Sequence, residues 1–235
     1  MSDHIAKAYD NDISVLKTQL SEMGGLAEEQ LANAIQALSR RDTAMADQVI
    51  RNDDKLDELE RRIEEKAILT IAKRQPMALD LREIMVAIRV ASDIERIGDL
   101  AKNTAKRTHA ISEALPRKLS TGLARMGAMA QAQLKQVLDA YAERDDEKGL
   151  AVWRADEDLD ALYNSIFREL LTYMMEDPRN ISLCTHLLFG AKNLERIGDH
   201  TTNIAENIHY LIHGKTILES RPKKDVTAMM RQSDE

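Results

Sequence analysis

Apolar residues in this chain recur every three or four positions, and the period holds over most of its length. In the stretch 84–105 the apolar set is Ile84, Ala87, Ala91, Ile94, Gly98 and Ala105. At about 100° per residue, with Glu95 as origin, these fall on one arc between roughly −20° and −100°. That arc is one face of an amphipathic helix. Val49, Leu56 and Ile63 form a similar seam earlier in the chain. No run alternates apolar and polar residues with the Val, Thr and Tyr content of a strand. The pattern predicts helices only.

Breakers divide the pattern. A first helix is predicted near 5–39. Asp42 is placed to cap a second helix, which ends before Pro76. Asp80 and Glu83 read as a capping box opening a third. Pro116 separates a second series near 119–142, 145–175 and 180–213, and Gly214 suits the last C-terminus. Gly24-Gly25 predicts a kink or break inside the first helix, since each glycine costs about 1 kcal/mol against alanine there.

The second series repeats the first. The hexapeptide Ile-Glu-Arg-Ile-Gly-Asp at 94–99 returns as Leu-Glu-Arg-Ile-Gly-Asp at 194–199. Before it, a displacement of 103 aligns Met23 with Met126, Leu31 with Leu134, Arg41-Asp42 with Arg144-Asp145, and Asp53 and Asp57 with Asp156 and Asp160. The displacement then falls to 100 and aligns Glu95, Asp99 and Asn103 with Glu195, Asp199 and Asn203. The lost residues belong in the loops that hold Pro76 and Pro178. The expected fold is all-α: two tandem three-helix bundles related by internal duplication and a pseudo-twofold, giving an elongated molecule. The bundles would occupy 1–115 and 116–214, followed by a flexible polar tail at 215–235.

Composition narrows the class. The chain is 43% hydrophobic but only 3% aromatic, so alanine, leucine and methionine must build the core. Forty acidic against 33 basic residues give a net charge of −7, which disfavours nucleic acid as a partner. Cys184 is the only cysteine, which excludes an intramolecular disulfide; it reads as core. The longest apolar runs, such as 84–88, are too short to span a membrane, and the polar start does not read as a signal peptide. A lone cysteine also suits a reducing compartment.

The acids carry the candidate chemistry. On the wheel above, Asp99 falls near about +40° and Asn103 near about +80°, on the flank of the buried face rather than its opposite side. Asp53 and Asp57 flank the seam of the second helix likewise. If the flanks meet, Asp53, Asp57, Glu95 and Asp99 converge in the first half, and Asp156, Asp160, Glu195 and Asp199 in the second. Like charges one turn apart repel, and partly buried carboxylates need neutralising. A hard or borderline cation with oxygen ligands would do so, with Asn103 and Asn203 as possible further donors. The plainer alternative is a solvated face paired with Arg96 and Arg196.

Other features read as structural. Gly98 and Gly198 lie in the apolar arc, where a missing side chain lets a neighbouring helix approach. Met126, Met129, Met174 and Met175 read as core filler, and His186 as a satisfied core histidine; Met229 and Met230 fall in the tail. Glu206 and His209 match the Glu-x-x-His element of di-iron carboxylate bundles, but the first-half counterpart is Lys106 with His109, so the glutamate is not duplicated. No phosphate loop or Ser-His-Asp arrangement appears.

Glu-Arg-Ile-Gly-Asp followed by Asn, once per half, with Met23-Gly24 in a long amphipathic opening helix, resembles the PhoU family of phosphate-transport accessory proteins. The likeness covers about residues 5–213. It implies two tandem three-helix bundles. It implies a non-enzymatic, cytoplasmic regulator that represses the phosphate-starvation response, coupling a phosphate ABC transporter, through its ATPase subunit, to a sensor histidine kinase. It implies a homodimer that associates only peripherally with membrane complexes. It also implies multinuclear clusters of iron or another transition ion at Asp53/Asp57 with Glu95/Asp99 and at Asp156/Asp160 with Glu195/Asp199. A metal-carboxylate enzyme of the di-iron type is the alternative.

Overall fold

The computed structural model describes residues 2–111 and 117–218, which contain seven α-helices, two short 3₁₀ turns and no strand. The first half comprises α1 (Ser2–Arg40), α2 (Thr43–Asn52), α3 (Asp54–Arg74) and α4 (Leu79–Arg107). The second comprises α5 (Arg117–Glu143), α6 (Asp146–Glu176) and α7 (Ile181–His213). Pro116 and the residues beyond 218, Met229 and Met230 included, lie outside the described residues.

The duplication extends to the turns. Arg41 and Arg144 both adopt the left-handed conformation, with φ of 57° and 54°. The amides of Asp42 and Asp145 then donate to the carbonyls of Ala37 and Ala140, each at 2.9 Å. The Asp42 and Asp145 carboxylates accept from the amides of Met45 at 2.9 Å and Lys148 at 3.0 Å. Each acid thus satisfies an otherwise orphaned donor of the helix it caps. At the other end of the chain, Gly214 ends α7 with φ of 70°.

Three local expectations fail. The second helix of the first half is not single: a one-residue break at Asp53 separates α2 from α3. Asn52, Asp53 and Asp54 meet there, and short polar side chains compete with the helical hydrogen bonds. The matching Ala155-Asp156-Glu157 lets α6 run on. In contrast, α1 passes unbroken through Gly24-Gly25. A Cβ at Gly24 would come within 3.0 Å of Leu138 on α5, so close helix packing outweighs the glycine's poor propensity. The capping box at Asp80 does not form. Ala78 occupies the cap position of α4 without a side-chain bond. Glu83 instead pairs with Lys17 at 3.0 Å and with Arg144 from the other half.

The two bundles pack side by side, with α4 along α7 and α1 against α5. One continuous core runs through both. Asp93 on α4 accepts from Asn203 on α7 at 3.1 Å and meets His200 Nδ1 at 2.9 Å. Arg82 and Arg89 of α4 stack over the Tyr210 ring of α7 at 5.4 and 5.6 Å. Met126 is buried and Met129 and Met174 pack against the core, but Met175 is 85% exposed and is not core filler. Cys184 is buried, as expected, and burial pushes its thiol up.

Candidate functional site

In the first half the acids gather where α4 crosses the α2–α3 junction. Asp53 is buried at the break itself. Asp99 lies on α4, and Lys102, one turn on, bridges the two: its Nζ reaches Asp53 and sits 2.6 Å from Asp99. Burial pushes Asp53 up, against the pull of Lys102. Burial alone would lower Lys102, but the two aspartates outweigh it and raise the ammonium. Glu95 is pushed up to about 7, first by desolvation and then by Asp99, while Arg96 at 3.4 Å opposes the shift. Glu60 and Asp57 add to it, so the four predicted acids share one field. Asp57 itself is exposed.

The second half holds its acids deeper. Asp156, Asp160 and Glu195 are 1%, 2% and 3% exposed, and Asp199 is half-buried. Lys192 lies 2.9 Å from Glu195 and over the Tyr163 ring at 5.0 Å. Burial raises Glu195; Lys192 opposes this, and Asp199 and Asp160 reinforce it.

The motif glycines seat these carboxylates. A Cβ on Gly198 would stand 2.5 Å from Asp156 Oδ1 and 2.6 Å from Leu159. A Cβ on Gly98 would stand 2.3 Å from Leu56 and 3.7 Å from Asp53 Oδ1. The glycine of each Glu-Arg-Ile-Gly-Asp therefore does more than admit a neighbouring helix. It lets the aspartate of that helix lie against the motif.

Three participants were missed in the sequence. Glu60 is half-buried, raised first by desolvation and then by Glu64, and hydrogen-bonded to Ser92. Gln133 is buried 3.3 Å from the space a Gly198 Cβ would fill. Its register partner Gln30 is equally buried on α1. In both, Oε1 has no hydrogen-bond partner among the described residues. The displacement of 103 that pairs Leu31 with Leu134 also pairs these glutamines, and an invariant polar position inside an apolar seam was the signal available.

Among the described residues no three of the predicted acids bring carboxylate oxygens within 4.8 Å of one another, so neither cluster is a formed cation site as it stands. What favours a cation in the second half is that its buried carboxylates repel one another and that Gln133 offers a neutral oxygen near Asp156. The first half fits less well, because Lys102 already neutralises Asp53 and Asp99. Asn203 is directed to Asp93 rather than to Asp199, and Asn103 is half-buried one turn beyond Asp99. Glu206 accepts from the Trp153 indole at 3.0 Å, and His209 turns to Asp146, so the two do not form a di-iron half-site. His186 is half-buried, and its Nδ1 has no hydrogen-bond partner among the described residues, so it is not a satisfied core residue.

A protein-family model, the PhoU domain, matches residues 20–108 and again 123–208. The chain belongs to the PhoU family. The two matches coincide with the two copies of the acid motif. Among relatives of this family, the phosphate-specific transport system accessory protein PhoU homolog of Rhizobium meliloti (strain 1021) is 57% identical over 97% of this chain and 96% of its own. The homolog from Caulobacter vibrioides (strain NA1000 / CB15N) is 50% identical over 96% of this chain and 99% of its own. The crystal structure of PhoU from Pseudomonas aeruginosa superposes with a TM-score of 0.85 at 38% identity, covering 88% of this chain and all of that one. The phosphate transport system regulatory protein PhoU from Streptococcus pneumoniae gives 0.83 at 27% identity, covering 89% of this chain and 99% of that one. These PhoU structures share the duplicated all-helical fold. Among the described residues, no helix is long and apolar enough to cross a membrane.

Proposed function

We propose that this PhoU protein is a cytoplasmic, non-enzymatic adaptor of a phosphate-specific transport system. It acts as a homodimer, docks on the transporter's ATPase subunit and on a sensor histidine kinase, and holds the phosphate-starvation response off when phosphate is plentiful. The observation that carries this reading is the full-length identity of 57% to a relative named as an accessory protein of that system. The two carboxylate clusters serve as sites for divalent or transition ions, iron or similar. Buried, mutually repelling acids with an unpartnered Gln133 oxygen support that part. The di-iron enzyme reading loses its best element, since Glu206 is engaged by Trp153.

Gene deletion tests the regulatory role. The strain should express its phosphate-starvation output, such as alkaline phosphatase, in phosphate-rich medium, and the wild-type gene should restore repression. Unchanged output on deletion refutes the adaptor. Low-salt pull-downs should recover the ATPase subunit and the kinase. Elemental analysis of the purified protein should find less metal in the Asp99→Asn/Asp199→Asn double variant than in the wild type.

A further inference from the structure

One set of ligand-type side chains lies outside both acid clusters. Asp146 is the first residue of α6, and His209 and His213 lie one turn apart near the end of α7. Asp146 Oδ1 is 2.9 Å from His209 Nδ1, and its Oδ2 is 2.8 Å from His213 Nε2. The two imidazoles lie 4.5 Å apart between centroids, tilted by 42°. One donor atom from each residue falls within 4.8 Å of the other two, and among the described residues no other three His, Cys, Asp or Glu side chains meet that condition.

We propose that Asp146, His209 and His213 form a binding site for one borderline divalent transition cation of the zinc class. Two imidazoles and a carboxylate are a donor set for zinc, nickel or cobalt, whereas calcium and magnesium take oxygen alone. Histidines at i and i+4 present their rings on one helix face, and Asp146 meets that face from another helix. Ligands about 2.0–2.1 Å from a tetrahedral ion stand roughly 3.4 Å apart, so the two Asp–His spacings need to open by only about half an ångström, and all three donors already lie within 4.8 Å of one another. His213 has room for this at 46% side-chain exposure, with Asp146 at 20% and His209 at 21%. Solvent can reach the ion and complete its coordination. The Trp153–Glu206 bond, one turn from His209, already fixes α6 against α7 and places the donors in advance.

The site belongs to the second half alone. The register partner of His209 is His109, which meets Asp47 at 3.0 Å. Those of Asp146 and His213 are Thr43 and Glu113. The duplication that explains the acid clusters does not explain this set, and the inference is independent of the proposed function.

The test is titration of Zn²⁺ into the chelator-treated, full-length protein by calorimetry, repeated on His213→Ala and on Asp99→Asn/Asp199→Asn. His213 is exposed and ends its helix, so its truncation leaves the fold intact, which circular dichroism checks. The wild type should bind one zinc equivalent that His213→Ala weakens by at least about a hundredfold, since losing even an outer-shell partner costs about 10–100-fold. The Asp99/Asp199 variant should keep that equivalent. With Co²⁺ as probe, the wild type should develop the visible absorption of a nitrogen-ligated ion and His213→Ala should not. Equal zinc stoichiometry and affinity in wild type and His213→Ala, or no such cobalt spectrum in the wild type, would overturn the proposal and leave a hydrogen-bonded cluster only.

Discussion

In the first half Lys102 reaches from α4 to bridge Asp53 and Asp99; in the second the matching residue is Thr202, buried, whose hydroxyl donates to the Asp199 carbonyl at 2.7 Å. The second half draws its cation from Lys192, where the first half has Ser92. The partners have changed with it. Ser92 bonds Glu60, and the residue matching Glu60 is Tyr163, over which Lys192 lies. The duplicated carboxylates have been retained while their neutralisation has been exchanged as a set. The first cluster is internally compensated and has one acid, Asp57, in solvent. The second buries three acids and keeps its lysine at the rim, 37% exposed.

The largest expected consequence concerns the lysines. Lys102→Met should lower stability in urea at neutral pH by about 2–4 kcal/mol, because Asp53 would be left as a buried charge without its partner. Lys192→Met should lose less, about 1–2 kcal/mol, since the Lys192 ammonium is the more exposed of the two, 37% against 21% for Lys102, and is the better solvated before it is removed. Equal losses would break the comparison. Adding Asp53→Asn to Lys102→Met should recover much of the deficit.

The glycines sharpen the contrast at a smaller scale. Gly198→Ala drives a Cβ into both the Asp156 carboxylate and Leu159 and should cost about 1–3 kcal/mol as overpacking. Gly98→Ala meets closely a single Leu56 methyl, the end of a side chain that can rotate, while the helix propensity regained, up to about 1 kcal/mol, is the same at both positions. Its melting temperature should therefore fall less. A larger fall for Gly98→Ala would show that the first cluster is the tighter.

The smallest effect is a pH dependence. Glu95 is raised from 4.5 to about 7, so the folded state favours its protonated form. That stabilisation is complete below about pH 4.5 and is lost as pH rises through about 7. In chelator, Glu95→Gln should match the wild type at pH 4.5 and lead it by about 1–2 kcal/mol at pH 8. Glu195→Gln should gain less, because Lys192 opposes the shift there. Denaturant midpoints at the two pH values decide it.

Much of this was legible in the chain. The Arg-Asp pairs at 41–42 and 144–145 marked two turns that proved alike bond for bond. The 103-then-100 register placed the acid motifs on corresponding helices, and the wheel put Asp53 and Glu95 beside their seams. The short Asp42 side chain caps its own helix as expected, whereas several polar side chains expected to act beside a neighbour on their own helix do not. Glu83 was read as capping its own helix and is held by Lys17 and Arg144; Glu206 was paired with His209 and bonds Trp153. Asn203 was grouped with Asp199 and bonds Asp93 across the bundle interface. Long side chains choose among all groups within reach, and most of those lie on other helices.

The sequence by itself determined the helices, the duplication and the ridge of acids beside each buried seam, because periodicity and capping act over one or two turns of a single segment. Only the tertiary structure decided which cation meets which acid, that α4 lies along α7, and that Asp146 meets His209 and His213. Those outcomes depend on how neighbouring helices are placed along one another. A slip of one turn, about 5.4 Å, leaves every local pattern intact and exchanges every polar partner.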